Sequence, residues 1–410
     1  WAKHMDLVSW DNYPSNKAVM SNIAMRHDLM RGLKGGKPFM LMEQTPNQQN
    51  WQPYNGLKRP GVMRLWSYQA IAHGADTVMF FQLRQSRGAC EKYHGAVISH
   101  AGHENTRVFK EVRQLGEELK KLGDKILGST IKARVAMVFD WENWWAVEYS
   151  SGPSVDLKYV PQVEKYYKAF YEMNVPVDMI NEDGDLSNYD IVVAPAMYML
   201  RGNIVERLEN FIKNGGVLIT TFFSGWVDEN DLVFMGGYPA PMQHLLGLWV
   251  EETDALFPEM ENSMIVSHPF GNVKGRYKCS LLCDVVHLTS AEALAAYESD
   301  FYAGMPAFTA NKYGSGLAYY IASDPDEEFV KALIRYVCEQ KGVYPVMEVP
   351  LNVEVTQRQK DGKVFTFILN HNEYVVPIDL GAANRHELIR DEYLSGEIIM
   401  QPRDVFILEE

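Results

Sequence analysis

Cysteine is scarce in this chain: Cys90, Cys279, Cys283 and Cys338 are the only four in 410 residues. That is too few for a disulfide-stapled scaffold, and their spacing matches no zinc-ligand signature. Cys279 and Cys283 stand four apart, as a disulfide or metal half-site would, but two unrelated buried thiols are the plainer expectation. No run of about 18 apolar residues occurs, so no membrane-spanning helix and no membrane partner is expected. Positive charge is also short. With 39 Lys and Arg against 53 Asp and Glu, the net charge is −14 and the pI near 5.3, which argues against a phosphate-binding surface and a nucleic-acid partner. The first residues, Trp1-Ala2-Lys3-His4-Met5-Asp6, carry neither an initiator Met nor a signal-peptide pattern. A reducing cytoplasm is the expected location, and no cofactor or metal is expected.

What is abundant is apolar sequence. At 47% hydrophobic residues, 410 residues can bury large cores and should form two or three domains. The stretch Phe39-Met40-Leu41-Met42-Glu43-Gln44-Thr45-Pro46 organises the first of them. Four apolar residues lead into a carboxylate, and Thr45-Pro46 then stops the run. This predicts a strand buried on both faces, with Glu43 at its C-terminal mouth, where barrel enzymes place catalytic groups. A solvent-facing Glu at a strand end is the plain alternative.

Around it, residues 5–10 read as a strand followed by the loop Asp11-Asn12-Tyr13-Pro14. Residues 18–32 read as a helix with Ile23, Met30 and Leu33 as inward positions. Residues 62–73 predict a second helix and 76–82 a strand. A longer helix begins near Asn105, with Val108, Val112, Leu115, Leu119 and Leu122 at helical spacing. That amounts to about three strand–helix units.

These residues resemble the β-galactosidases of glycoside hydrolase family 42, which are built on a (β/α)8 barrel. The likeness runs in order from residue 4 to about 123: Trp10-Asp11-Asn12-Tyr13-Pro14, Glu43-Gln44-Thr45-Pro46 with Asn50-Trp51, Lys58-Arg59-Pro60-Gly61, Arg64-Leu65-Trp66-Ser67-Tyr68-Gln69-Ala70, His73-Gly74-Ala75-Asp76, Phe80-Phe81-Gln82, Ser86-Arg87-Gly88-Ala89 and Glu91-Lys92-Tyr93-His94-Gly95-Ala96-Val97. The resemblance implies that Glu43 is the nucleophile of a retaining mechanism. It implies that Trp51 stacks on a sugar ring rather than packing under its own loop. Glu91 and His94 would hydrogen-bond sugar hydroxyls, against the alternative of a pair on a surface turn. Tyr13 would contact the nucleophile or the sugar, with a structural strand-end Tyr as the rival. Phe81 faces either the pocket or the core. Arg59 and Arg64 hold loop to helix rather than touch substrate. A barrel needs eight strands, so the first five, with the acid/base Glu and the family's cysteine zinc cluster, would lie upstream. The pairs Asn181-Glu182 and Asn372-Glu373 fall outside the matching block and inherit no acid/base role.

Past residue 123 the composition changes, and Gly128-Ser129-Thr130 looks like a linker. Residues 131–342 alternate strands (134–139, 175–180, 191–195, 217–221, 318–322) with helices (162–173, 205–213, 328–339), which predicts a parallel, doubly wound sheet. The resemblance extends here to the family's trimerisation domain, which looks like a class I glutamine amidotransferase. The turn that would carry that enzyme's Cys, Thr220-Thr221-Phe222-Phe223-Ser224-Gly225, has none, so a non-catalytic relict is expected. The aromatics Trp141, Trp144, Trp145 and Trp226 are candidates for core or subunit contact. From about residue 346, alternation at Val349, Leu351, Val353 and Val355 and the Asp361-Gly362 turn predict a small antiparallel β-domain, a structural appendage before a sugar-binding module.

The expected architecture is α/β: the last strands of a (β/α)8 barrel over residues 1–125, an amidotransferase-like trimerisation domain over 126–343, and a C-terminal β-domain over 344–410. The expected function is a retaining β-galactosidase acting on a β-galactoside oligosaccharide or a small galactoside as a homotrimer, this chain alone being incomplete and inactive. The alternatives are a catalytically silent assembly fragment, or an arabinopyranosidase or fucosidase.

Overall fold

The computed structural model describes residues 1–149 and 151–410. They divide into two compact units. One comprises Trp1–Lys132, Asn174–Pro176 and Pro345–Glu410; the other comprises Ala133–Met173 and Val177–Tyr344.

The first unit opens with three parallel strands, β1 (Ser9–Asp11), β2 (Phe39–Glu43) and β3 (Ala75–Val78), in the order β1-β2-β3. Helix α1 (Met20–Gly32) joins β1 to β2, α2 (Val62–Ala72) joins β2 to β3, and α3 (Arg107–Ile126) follows, its N-terminus capped where Thr106 Oγ1 accepts from the Phe109 amide. Strand β1 is shorter than its apolar run predicts, and Leu33 is exposed rather than inward. Nor is β2 buried on both faces. Phe39 and Leu41 pack with Ala70 of α2, whereas Met42 is 40% exposed, because α1 and α2 cover only one side of this three-stranded sheet.

In the second unit β4 (Val135–Val138), β5 (Val177–Ile180), β6 (Ile191–Ala194) and β7 (Val217–Thr221) form the expected parallel sheet, with α4 (Trp141–Tyr149), α5 (Tyr159–Glu172) and α6 (Ile204–Lys213) between them. After a short α7 (Gln243–Leu246) the sheet departs from the doubly wound expectation. Strands β8 (Leu248–Ala255), β9 (Asn262–Val266), β10 (Arg276–Leu288), β11 (Glu292–Tyr297) and β12 (Pro306–Tyr313) are antiparallel to their neighbours. Only β13 (Gly316–Ile321) returns to pair parallel with β7, before β14 (Ser323–Pro325) and α8 (Glu327–Lys341). The result is one mixed sheet of eleven strands. Short turns rather than helices join β10 to β11 and β12 to β13, and a turn reverses a strand where a crossover helix would keep it parallel. Helix α4 is not among the helices the sequence predicts: Asp140 Oδ1 accepts the amides of Glu142 and Asn143 and starts it at once after β4. At the turn after β7, Phe223 holds φ of 59°, and the Ser224 hydroxyl is buried against Thr220 and the Met197 amide.

The chain then rejoins the first unit. Strands β15 (Val353–Lys360) and β16 (Lys363–Asn370) form the expected hairpin, Asp361 and Gly362 both at positive φ. The strands β17 (Val376–Asp379), β18 (Arg385–Glu387), β19 (Glu392–Leu394), β20 (Glu397–Met400) and β21 (Val405–Glu409) complete a five-stranded and a two-stranded sheet. They are no appendage. Phe365, Phe367, Leu369, Val405 and Ile407 share one core with Ile23, Met63, Leu65, Trp66, Ile71, Leu115, Leu122 and Ile126. The segment read as a linker is equally integral: Ser129 is fully buried, and its carbonyl accepts from Arg358.

Buried charge ties β15 to α1 and α2. The fully buried Arg358 donates to the carbonyls of Ile71 and Ala75, each at 2.8 Å, and to Asp76 at 2.7 Å. Glu354 receives His73 Nε2 at 2.7 Å, Gln69 Nε2 at 2.8 Å and His371 Nε2 at 2.7 Å, while His73 Nδ1 meets Asp28 at 2.9 Å. Burial alone would lower the His73 imidazole, but Asp28 and Glu354 on its two nitrogens lift it to about 10. Burial likewise works against the Glu354 carboxylate, yet the His371 and His73 hydrogen bonds hold it well below its ordinary range. His27, stacked 6.3 Å from His73, is pushed down to about 3 by burial and then by the His73 charge.

Candidate active site

The C-terminal ends of β1, β2 and β3 finish side by side, because parallel strands in register end at one edge of the sheet. Asp11 pairs with Glu43; the Asn12 amide donates to the Glu43 carbonyl at 2.9 Å; the Gln44 amide donates to Met79 O and Phe81 N to Gln44 O. That edge collects the residues singled out in the sequence. Tyr13 donates its hydroxyl to Glu43 Oε2 at 2.7 Å. Its ring meets Trp51 edge-on at 4.9 Å and His94 at 5.8 Å; Trp51 stacks on His94 at 5.3 Å, and Phe81 meets His94 edge-on at 5.1 Å. A carboxylate therefore stands beside an aromatic wall. Trp51 is 54% exposed and is the most open member of that wall.

His94 is fully buried, and its Nδ1 donates to the Gly95 carbonyl at 2.8 Å. Since a carbonyl only accepts, Nδ1 carries a proton, and Nε2 is a buried polar atom with no protein partner. The Glu91 side chain lies exposed on the turn Cys90–Tyr93, where its backbone carbonyl accepts the His94 amide at 3.0 Å, while the His94 ring is built into the wall. Glu91 still acts here electrostatically. Burial first, then the Glu43 hydrogen bond and the charges of Glu43, Asp11 and Glu91, push the Tyr13 phenol far above its ordinary range and keep it a donor. Asp11, unassigned from the sequence, is raised by burial and then by the Glu43 charge. Its position directly before Asn12-Tyr13 was the available signal.

The loop behind Glu43 is clamped. Gln44 donates to Ser67 of α2 at 2.7 Å; Thr45 Oγ1 donates to Gln48 O; Gln49 donates to Pro14 O; and the Gly95 amide donates to Gln48 O at 2.8 Å. A Cβ on Gly95 would lie 3.0 Å from the Gln48 backbone, a contact tight enough that the Gln48 loop would have to shift by a few tenths of an ångström to admit it. Of the two arginines expected to hold loop to helix, Arg64 pairs with Glu118 of α3 at 2.7 Å. Glu373 pairs with Arg403. All four cysteines are free, Cys279 and Cys283 buried and unjoined. Among the described residues, no group of three or more His, Cys, Asp or Glu could hold a metal, and no helix is long and apolar enough to cross a membrane.

A carboxylate at the mouth of a parallel sheet, walled by Tyr, Trp, His and Phe, is the kind of site a glycosidase presents. Family models agree along the chain. Residues 1–122 match the β-galactosidase model of glycoside hydrolase family 42, residues 133–344 its β-galactosidase trimerisation domain, and residues 352–410 its β-galactosidase C-terminal domain. The chain belongs to glycoside hydrolase family 42. It is 57% identical over 408 residues to the β-galactosidase BgaA of Planococcus sp. (strain 'SOS Orange') and 46% identical over 413 residues to BgaB of Geobacillus sp. (strain Y412MC61), covering all of this chain and 60% of each relative. The crystal structure of the β-galactosidase from Bacillus circulans sp. alkalophilus superposes with a TM-score of 0.98 at 55% identity, over 100% of this chain and 61% of that one. The enzyme from Rahnella sp. R3 gives 0.94 at 41%, over 100% and 61%. The chain thus spans about 60% of the length of the curated relatives it matches.

Proposed function

We propose that these residues belong to a retaining β-galactosidase in which Glu43 is the nucleophile. The observation that carries this reading is the Glu43 carboxylate at the strand mouth, held by Tyr13 and flanked by the Trp51–His94 wall. In the first step a Glu43 oxygen bonds to the anomeric carbon as the glycosidic C–O bond breaks, and an acid/base carboxyl from outside these residues protonates the leaving oxygen. In the second, that carboxylate takes a proton from water, which displaces Glu43. Trp51 supports the sugar ring, His94 Nε2 accepts from a sugar hydroxyl, and Glu91 and Phe81 line the rim. On this reading β1, β2 and β3 are the last strands of a (β/α)8 barrel, with residues 1–125, 126–343 and 344–410 as barrel end, trimerisation domain and β-domain. The substrate is a galactoside and the assembly a homotrimer.

In the complete enzyme, Glu43→Ala should lower turnover by several orders of magnitude, and azide with an activated galactoside should restore it as the α-galactosyl azide. Near-full activity without azide would refute the assignment. The isolated 410 residues, lacking an acid/base partner, should not hydrolyse lactose; verified lactase activity of this chain alone would refute that. Trimer contact is supported by the family description of residues 133–344 and by Trp141 and Trp145 of α4, 37% and 50% exposed; Trp144 and Trp226 are half-buried. Trp145→Glu should shift the complete enzyme from trimer towards monomer by light scattering. An unchanged trimer would remove α4 from the interface.

A further inference from the structure

Lys58 is 2% exposed, and among the described residues its Nζ has a carbonyl rather than a carboxylate as its hydrogen-bond partner. Its Nζ donates to the Thr45 carbonyl at 2.5 Å and stands 4.9 Å from the Trp66 ring centroid. Thr45, itself fully buried, is two residues past Glu43. The Lys58 backbone is engaged as well: its amide donates to Asn47 Oδ1 at 3.1 Å, and its carbonyl accepts from Arg107 of α3 at 3.1 Å. Arg107, paired with Glu111, is the charged group in contact with this residue. An unpaired ammonium costs free energy to bury, and a surface lysine would leave the interior if it could. Lys58 stays because the Thr45 carbonyl, buried at the end of β2, needs a donor that neither sheet nor helix supplies.

We propose that Lys58 is a positioning residue for the nucleophile: its donation to the Thr45 carbonyl fixes the peptide following Glu43, and so the direction in which the Glu43 carboxylate meets the anomeric carbon. This rests on the assignment of Glu43 above. Glu43 and Gln44 are held from the sheet side by Asn12, Met79 and Phe81, and Gln44 from the helix side by Ser67. Thr45 is where the chain turns away towards Trp51, and Lys58 is the side chain that holds its carbonyl. Releasing it lets the nucleophile and Trp51 shift relative to one another, and displacements of about 1 Å at a reacting atom lower rates by roughly a hundredfold. Burial pushes the Lys58 ammonium down to about 7, so the donor is an amine or an ammonium at neutral pH, and the hydrogen bond to Thr45 survives in either form.

The test uses the complete enzyme and an activated aryl β-galactoside, with rates normalised to active sites titrated by 2-deoxy-2-fluoro-β-galactosyl fluoride. Lys58→Met, which keeps the stem and removes the donor, should lower kcat by about 10- to 100-fold with KM within about threefold, and slow fluorosugar inactivation in parallel. Lys58→Gln, whose amide can still donate, should recover at least part of that loss. A Lys58→Met enzyme with kcat per titrated site within twofold of wild type overturns the proposal. Should both variants fail to fold, Asn47→Ala carries the test by removing the acceptor of the Lys58 amide: a drop in kcat of threefold or more at unchanged KM supports the role, and unchanged kcat overturns it. Mass spectrometry of the labelled wild type separates the two readings. Label on a residue other than Glu43 defeats the nucleophile assignment, whereas label on Glu43 with unimpaired Lys58→Met defeats only the Lys58 role.

Discussion

Replacing Glu354 by Gln tests whether β15 is structural support for α1 and α2. The carboxylate accepts from His73, Gln69 and His371 and is 3% exposed. An amide keeps the shape but brings a donor against donors and removes the charge facing the His73 imidazolium. Removing one partner of a buried pair costs about 3–5 kcal/mol. At about 2–4 °C per kcal/mol for a unit of this size, the melting transition should fall by roughly 6–20 °C. The pH dependence has a definite sign. His73 is raised in the folded state to about 10, so its contribution is complete below its unfolded value of about 6.5 and fades as pH rises towards 10. Glu354 is depressed, so its contribution is complete above its unfolded value near 4.5 and is lost only in strong acid. The gap between wild type and Glu354→Gln should therefore be widest at about pH 5–6.5 and narrow towards pH 10. Hydrogen exchange of the α2 amides, read by mass spectrometry from pH 6 to 9, follows this unit specifically. A loss below about 1 kcal/mol at pH 6, or a gap independent of pH, would refute the reasoning.

Tyr13→Phe removes a hydroxyl from Glu43 Oε2; hydrogen bonds to a charged acceptor are worth about 1.5–3 kcal/mol, so kcat/KM should fall about 10- to 100-fold in steady-state assays, with unchanged kinetics counting against Tyr13. Trp51→Ala takes away an exposed stacking face worth about 1 kcal/mol, and KM should rise several-fold with kcat little altered. Burial raises Cys279 to about 12, Cys283 to about 11 and Cys338 to about 12, while Cys90 is exposed. A thiol reagent should thus modify one cysteine rapidly and the others only on unfolding; two fast thiols would contradict the buried placement.

The candidate site was largely legible because its residues lie at strand ends, where an apolar run, a carboxylate and turn chemistry mark position within a few residues. Tyr13, Trp51, Phe81 and His94 come together at Glu43, while the Glu91 side chain stays exposed on its turn and its backbone carbonyl accepts the His94 amide. What local pattern does not carry is pairing between distant segments. His73 and Glu354 are separated by 281 positions, and nothing near either one says that a charged residue there will be buried. Ser129 reads as linker from its neighbours, yet it is buried where Arg358, 229 positions away, donates to its carbonyl. The antiparallel half of the second unit was hidden for a related reason: residues 248–313 have strand-like composition, but strand direction is set by the connections, which short turns near Thr289 and Gly314 decide.

The first unit is assembled from both ends of the chain, with Ala133–Met173 and Val177–Tyr344 intervening. During synthesis this imposes an order of events. Helices α2 and α3 emerge with Trp66, Ile71, Leu115 and Leu122, whose partners Phe365, Phe367 and Ile407 lie roughly 240 to 340 residues further on, or about 10–70 s at 5–20 residues per second. The intervening unit can close its core within that interval, while the apolar flanks of the earlier helices wait without cover. The growing polypeptide therefore carries this uncovered apolar surface, and the aggregation risk that goes with it, from the emergence of α3 until the strands that bear Phe365, Phe367 and Ile407 have left the ribosome.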